Sequence, residues 1–509
     1  MPKYYFFFYP SMKLNPSLTL RHREITRGLD LVIKEGLTSE AMTTLTGGTF
    51  LMAMALLLGA SNFQIGLVAA LPTITNGFQI ITTWLLQKYN NRRATAVIAN
   101  GLARLPLLLI GMLALIFSAD TSFATIIFIL VFHYLFGSIA GASWNSWMKD
   151  LVPGNKLGSY FSRRTSRTQT LNVCLSLALA LLLDYIKDNY PGMELRAYAV
   201  MFVLGGVLGL LGTWLLSKTP EPVSYLPKEN ILKLYKRPLK DKNFRSLLRF
   251  QFCWTFALNI ATPFMTVFLL KSLNLKLSTV IVATICSQIA GIVAVKSWGK
   301  YTDQFSNKTI LRIAAPLYIA CILLWPVAGL YSNISIVVVA VILLNILSGI
   351  ASSGVNLSLN NIAIKLAPKN EAVVYLSAKS MMMSLTGAVS PLLGGFLADY
   401  FSEKQFNFNI NLHGFAGFHI VRLINLQGYG FLFLAGGILA LAALQLLKSV
   451  KEEGELSKKT ATLVLKTKLR NQIRKTTHPG YILSFVTVPV QRQIQFHRKI
   501  RNRWHRKLA

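Results

Sequence analysis

The sequence predicts an all-α membrane protein of twelve transmembrane helices in two pseudo-symmetric six-helix halves, and three observations lead there. The first is composition: of 509 residues, 53% are hydrophobic and only 14% charged, where a soluble chain carries about 25%. Mean hydropathy is +0.47, so there is too little polar surface to solvate several domains. The second is the recurrence of apolar runs long enough to cross about 30 Å of hydrocarbon. The third is an internal repeat. Together they exclude a soluble enzyme, a disordered protein and a disulfide scaffold.

In chain order, residues 1–40 read as a cytoplasmic N-terminal segment with an interfacial helix. Its aromatic run Tyr4 to Tyr9 is too short for a secretory signal and lacks a cleavage site; it is an interfacial segment, or an upstream extension if translation begins at Met12. The N-terminal half, 41–217, holds spans near 41–60, 64–86, 95–118, 123–147, 168–186 and 197–217. A basic cytoplasmic linker, 218–247, follows. The C-terminal half, 248–447, holds spans near 248–270, 278–298, 310–330, 334–363, 374–398 and 428–447, before a basic tail, 448–509. Prolines inside spans, such as Pro72 and Pro391, are tolerated because neighbouring helices re-satisfy the freed backbone. The four cysteines lie in apolar stretches without metal-type spacing and read as small core residues; no metal or other cofactor is expected.

The net charge of +34 raises the question of nucleic acid, and its distribution answers it. The side holding both termini carries 46 Lys+Arg and 13 Asp+Glu, the other side 6 and 6, and Arg104 lies within a span. By the positive-inside rule both termini are cytoplasmic, in a multi-pass protein of the plasma (inner) membrane. In the tail, Phe496, Ile500, Trp504 and Leu508 recur every four residues among basic ones. That pattern is a basic amphipathic helix for anionic lipid, favoured over a nucleic-acid partner.

A shift of 215 residues superposes the halves. It pairs Asn145 with Asn360, Pro153 with Pro368, Tyr160 with Tyr375, Asp184 with Asp399 and Tyr185 with Tyr400, among ten identities over residues 145–185. Each half has an even number of spans, so the copies are parallel, as in transporters that rock around a midplane site.

Here the chain resembles the major facilitator superfamily of transporters, over about residues 20–448. The family's G-x-L-x-D-R-x-G-R-R/K signature has a second copy at Gly299 to Lys308, which keeps the glycine, Asp303 and the final base. The first copy, Trp84 to Arg93, keeps Arg92 and Arg93, with Lys88 in place of the acid. Trp144 to Pro153, including Asp150, with Gly158, Tyr160, Phe161, Arg163 and Arg164, is similar to the loop between helices 4 and 5 of bacterial members. The resemblance implies a cytoplasmic gate that also includes Lys156, Lys308 and Glu371. In it Asp303 meets Lys156, Arg163 or Arg164, and Lys88 meets Glu371. The alternative is that these are solvated loop charges, since exposed pairs contribute about 0–1 kcal/mol.

For the pathway, the acids all fall in loops or at span ends on this reading, which leaves His133 and Arg104 as the titratable mid-span groups. His133 is the candidate for a coupling proton, or a neutral histidine bonded to a neighbouring helix. Arg104 reads as a structural partner of polar groups more than as a substrate anchor. Thr49, Asn76, Gln79, Asn172, Asn259, Gln288 and Asn345 place donors and acceptors near mid-span. They suit a neutral or zwitterionic solute, or else they serve interhelical hydrogen bonds. The expected function is secondary active transport of a small polar solute by a monomer, coupled to a proton or cation. Multidrug-type efflux and a membrane-embedded lipid-handling protein or enzyme are the alternatives. Span 5 lacks the proline and glycine typical of drug antiporters, and no converging catalytic set is seen.

Overall fold

The structure, a computed structural model, describes residues 16–17, 19–116, 122–153, 157–223, 236–330, 333–368, 372–402, 404–414 and 417–452. The aromatic run at 4–9 and the tail helix at 496–508 lie outside the described residues.

Among the described residues, eleven helices are long and apolar enough to cross a membrane alone. Span 2 completes twelve as two consecutive helices, Asn62–Asn76 and Gln79–Tyr89. The others are span 1 (His22–Leu57), span 3 (Arg92–Ile116), span 4 (Phe123–Leu151), span 5 (Leu157–Asn189), span 6 (Glu194–Ser217) and span 7 (Lys242–Ser272). Span 8 (Leu277–Phe305), span 9 (Asn307–Leu330), span 10 (Ile334–Leu366), span 11 (Ala372–Phe401) and span 12 (Tyr429–Ser449) complete the second half. Phe128, Ile116, Val293 and Phe396 are each more than 60% exposed, because lipid rather than water covers the bundle and apolar surface there needs no burial.

Three features depart from the sequence expectation. Span 1 begins at His22, not near residue 41, so residues 22–40 of the segment expected to lie on the cytoplasmic side belong to a transmembrane helix. Its start is fixed by Glu24, whose side chain accepts from the Arg21 N–H at 2.8 Å. Spans 1 and 7 break at matching places. Gly47 and Gly48, the latter at φ +56°, interrupt span 1, while Thr262 and Pro263 interrupt span 7, and 215 residues separate the two breaks. Finally, spans 11 and 12 are joined by an antiparallel hairpin of β1 (Gln405–Gly414) and β2 (Gly417–Gln427).

The halves meet through their distal segments, those away from the chain ends. The first helix of span 2 packs along span 11, the last helix of span 1 meets the Phe264–Val267 turn of span 7, and span 5 packs on span 8. Span 2 and span 11 approach so closely that a Cβ on Gly66 would lie 2.2 Å from the Pro391 carbonyl oxygen. The second helix of span 2 packs instead against spans 3 and 4 of its own half.

Candidate functional site

Span 6 calibrates depth within the N-terminal half. Gly205, midway along it, faces Thr46, and Gly212 faces Thr38. Thr46 and the break after it therefore lie near the bilayer centre. Glu40, six residues earlier at about 1.5 Å per residue, lies about 9 Å from that centre, within the hydrocarbon. Glu35 lies at its edge. An acidic group at that depth is expensive to hold and points to function.

The environment of Glu40 is built by one stripe of span 1 and the facing stripe of span 5. Tyr160 donates to the Leu29 carbonyl at 2.8 Å. Arg164 donates to the Val32 carbonyl at 3.4 Å and to Glu35 Oε2 at 3.2 Å, and its guanidinium stacks 4.9 Å from the Trp144 ring centre. Ser39 steadies the other Glu35 oxygen at 2.9 Å. Gly36 makes room for this, since a Cβ there would lie 2.7 Å from Arg164 Nε. One turn deeper, Asn172 donates to Thr44 Oγ1 at 2.9 Å, and the Glu40 carboxyl lies within electrostatic reach of Arg164. The result is an arginine paired with Glu35, with a second carboxyl, Glu40, deeper along the same helix beside amide and hydroxyl groups. It can exchange a proton, or receive a solute's ammonium or carboxylate in place of an internal partner.

Of the expected pathway residues, Asn172 joins this cluster. Thr49 follows the break of span 1, and Asn76 and Gln79 flank the break of span 2, bonded to each other at 3.2 Å. Asn259 and Gln288 are half-buried on spans 7 and 8. Asn345 donates to its own helix at Val341 O, 3.0 Å. His133 stands apart, with its Nδ1 2.7 Å from the Ala103 carbonyl; a carbonyl only accepts, so Nδ1 carries the hydrogen. Arg104 bonds Asn100 Oδ1 at 3.0 Å and packs with Met42 against Gly209.

The expected gate residues are placed as follows. Arg92 is buried and bonded to Asp150, to Glu221 Oε1 at 3.1 Å and to Pro222 O at 2.8 Å. Arg93 donates through its backbone to Glu221 Oε2 at 2.9 Å. Lys308 does the same to Glu452 Oε2 at 2.7 Å, while its Nζ reaches Val450 O. None of these contacts joins the two six-helix halves; those to Glu221, Pro222, Glu452 and Val450 tie a half to the segment that follows its last span. The Lys88 ammonium lies over Trp84, 4.9 Å from the ring centre, and Arg163 is exposed. Lys156, Glu371 and the Asp303 side chain lie outside the described residues.

Charged groups that a residue-by-residue reading of the spans passes over are Glu35, Glu40 and Lys379. Lys379 lies inside span 11, bonded to Leu359 O at 3.2 Å and Asn360 Oδ1 at 3.0 Å. The signal for the glutamates is the helical spacing of Ile25, Leu29, Val32 and Ile33 upstream of residue 41.

The sequence model of the Major Facilitator Superfamily matches residues 36–378. The chain belongs to that superfamily. Its structural neighbours share the fold at low identity. A mutant form of the nucleoside transporter NupG is 13% identical, with a TM-score of 0.61 over 84% of this chain and 100% of that one. A D-xylose-proton symporter is 14% identical, with a TM-score of 0.58 over 85% and 100%. A POT family transporter in complex with a thioalcohol-conjugated peptide is 14% identical, with a TM-score of 0.58 over 84% and 97%. No curated protein matches the chain. This superfamily member is therefore a multi-pass membrane transporter of small molecules, not an enzyme.

Proposed function

We propose that the protein is a secondary active transporter carrying a small polar solute, neutral or zwitterionic, through the plasma membrane by alternating access, with both termini cytoplasmic. The observation that carries this reading is the depth of Glu40 and Asn172 within the bilayer core, below the Arg164–Glu35 pair at its edge, while the halves meet distally. With the termini inside, that is an inward-facing arrangement, and the distal face is the outer one.

Glu40 takes the coupling role expected of His133. A carboxyl at that depth, near an arginine, can be ionised or protonated, whereas His133 is engaged by the span 3 backbone. The solute meets Asn76, Gln79, Thr49 and Asn172 from the N-terminal half and Asn259, Gln288 and Asn345 from the other. The cytoplasmic gate of Lys88, Asp303, Lys156, Arg163 and Glu371 assembles when the halves rock the other way. Arg92, Arg93, Asp150 and Lys308 anchor it. The tail holds the inner leaflet through anionic lipid, and the monomer is the working unit. The neighbours named for nucleoside and D-xylose-proton transport supply precedents of the same solute class. The Pro391 to Gly395 stretch of span 11 serves close packing on span 2, which removes its value as an efflux signature.

The test is a thermal-shift screen of the purified protein at two pH values with sugars, amino acids, nucleosides, small peptides and cationic drugs, followed by counterflow in proteoliposomes. One polar class should both stabilise the protein and exchange. Stabilisation by lipids or apolar drugs alone would overturn the assignment.

A further inference from the structure

Among the described residues, Glu221, Glu452, Asp184 and Asp399 each cap the N-terminus of a helix far away in the chain, and they divide by what they cross. Glu221, just after span 6, and Glu452, just after span 12, accept the first backbone N–H groups of spans 3 and 9 without reaching across to the opposite six-helix half. Asp184, at the end of span 5, accepts from Leu277 N at 3.1 Å and Ser278 N at 2.9 Å, where span 8 of the opposite half begins. Asp399, at the end of span 11, accepts from Asn62 N at 3.2 Å and Phe63 N at 3.0 Å, where span 2 begins. The 215-residue shift relates both acceptors, Asp184 and Asp399, and both donor pairs, Asn62–Phe63 and Leu277–Ser278.

We propose that Asp184 and Asp399 are the distal gate of the transport cycle, a reciprocal pair of latches in which each half holds the other by a helix N-terminus. The proposal rests on the alternating-access reading. A cap that does not join the halves survives a rocking motion, whereas these two span the joint and must break when the distal face opens. The N–H groups they hold belong to the first turn of a helix, which has no internal acceptor for them, so water can replace the carboxylate and the latch re-forms without refolding. The charge lies on the positive end of the helix dipole, and both oxygens are used.

The latches are not equally protected. Asp399 also accepts from Asn62 Nδ2 at 2.9 Å, and the buried Tyr429 hydroxyl donates to Asn62 Oδ1. Beside Asp184 stands the exposed Lys276–Asp188 pair at 2.6 Å.

The test is a distance measurement on the full chain in nanodiscs. Spin labels go at Ile116→Cys and Ile334→Cys, exposed distal positions in opposite halves, with Cys174, Cys253, Cys286 and Cys321 replaced by Ala. Asp184→Asn and Asp399→Asn should each raise the distal-open fraction about tenfold, the scale of a charged bond to a helix terminus, and the double variant should exceed both. Glu221→Gln, at a cap that does not join the halves, should lower the melting temperature without moving the distance. An unchanged distribution in both single variants, an effect at one aspartate alone, or an equal effect of Glu221→Gln would each overturn the proposal. The readout needs no substrate, so a failed solute screen leaves this result standing.

Discussion

The two halves share a frame and differ in chemistry. Helix breaks at Gly47–Gly48 and Thr262–Pro263, caps by Glu221 and Glu452, and the cross-half contacts of Asp184 and Asp399 recur in both. The charges within the bilayer core and at its edge do not. At the 215-residue shift Glu35 becomes Phe250, Glu40 becomes Thr255 and Arg104 becomes Ile319, and only Arg164 keeps a basic partner, Lys379. The repeat keeps the contacts between the halves and leaves Glu35 and Glu40 without acidic counterparts in the second half.

The comparison breaks most directly at Glu40. Glu40→Gln should reduce proton-driven uptake about hundredfold, as expected for an intramembrane acid with a coupling role, while Thr255→Val stays within about threefold; initial rates in proteoliposomes decide. A hundredfold loss at Thr255 would mean that the chemistry is shared.

The inner anchors differ next. Arg92→Met leaves Glu221 buried without its cation and should cost about 3–5 kcal/mol. Glu452→Gln removes a cap on two N–H groups and should cost about 1–2 kcal/mol. Chemical denaturation in detergent measures both, and equal losses would erase the distinction.

A smaller effect tests the packing behind the charge cluster. Gly36→Ala pushes the Arg164 guanidinium away from Glu35 and should slow uptake about tenfold at unchanged expression, since breaking a partly buried charged bond costs about 1.5 kcal/mol. His133→Gln should leave the pH profile of uptake unaltered. A shift of that profile would return the coupling role to span 4. The smallest expected effect is at the exposed Lys276, whose ammonium is held above its ordinary range by the bond to Asp188. Lys276→Gln should not change the melting temperature measurably.

Twelve crossings and the repeat were legible because span length and a gapless shift are properties of the chain itself. The buried acids were not. Span 1 carries Asp30, Lys34, Glu35 and Glu40 on a helix whose apolar face is narrow near its start, so an apolar-run search enters it only at residue 41. Asp184 and Asp399 were visible as repeat partners, but their role was not. Their partners are backbone N–H groups, which no residue letter marks, 93 and 337 positions away along the chain for Asp184–Leu277 and Asp399–Asn62. The gate arginines resembled a family motif in sequence, yet Arg92 is satisfied by Glu221 from the linker, outside the motif.

The hairpin of β1 and β2 alters the arithmetic of the repeat. Up to Asp399 the halves differ by 215 positions, but Glu452 follows Glu221 by 231, and Gly436–Gly437 follow Gly205–Gly206 by the same amount. The sixteen extra residues are thus confined to one loop, and span 12 resumes its place as though they were absent. For anyone engineering the protein, this loop is the natural port. A fiducial or affinity handle grafted there enlarges a connection that has already absorbed one insertion, and it does so on the distal face, opposite the Glu221 and Glu452 caps.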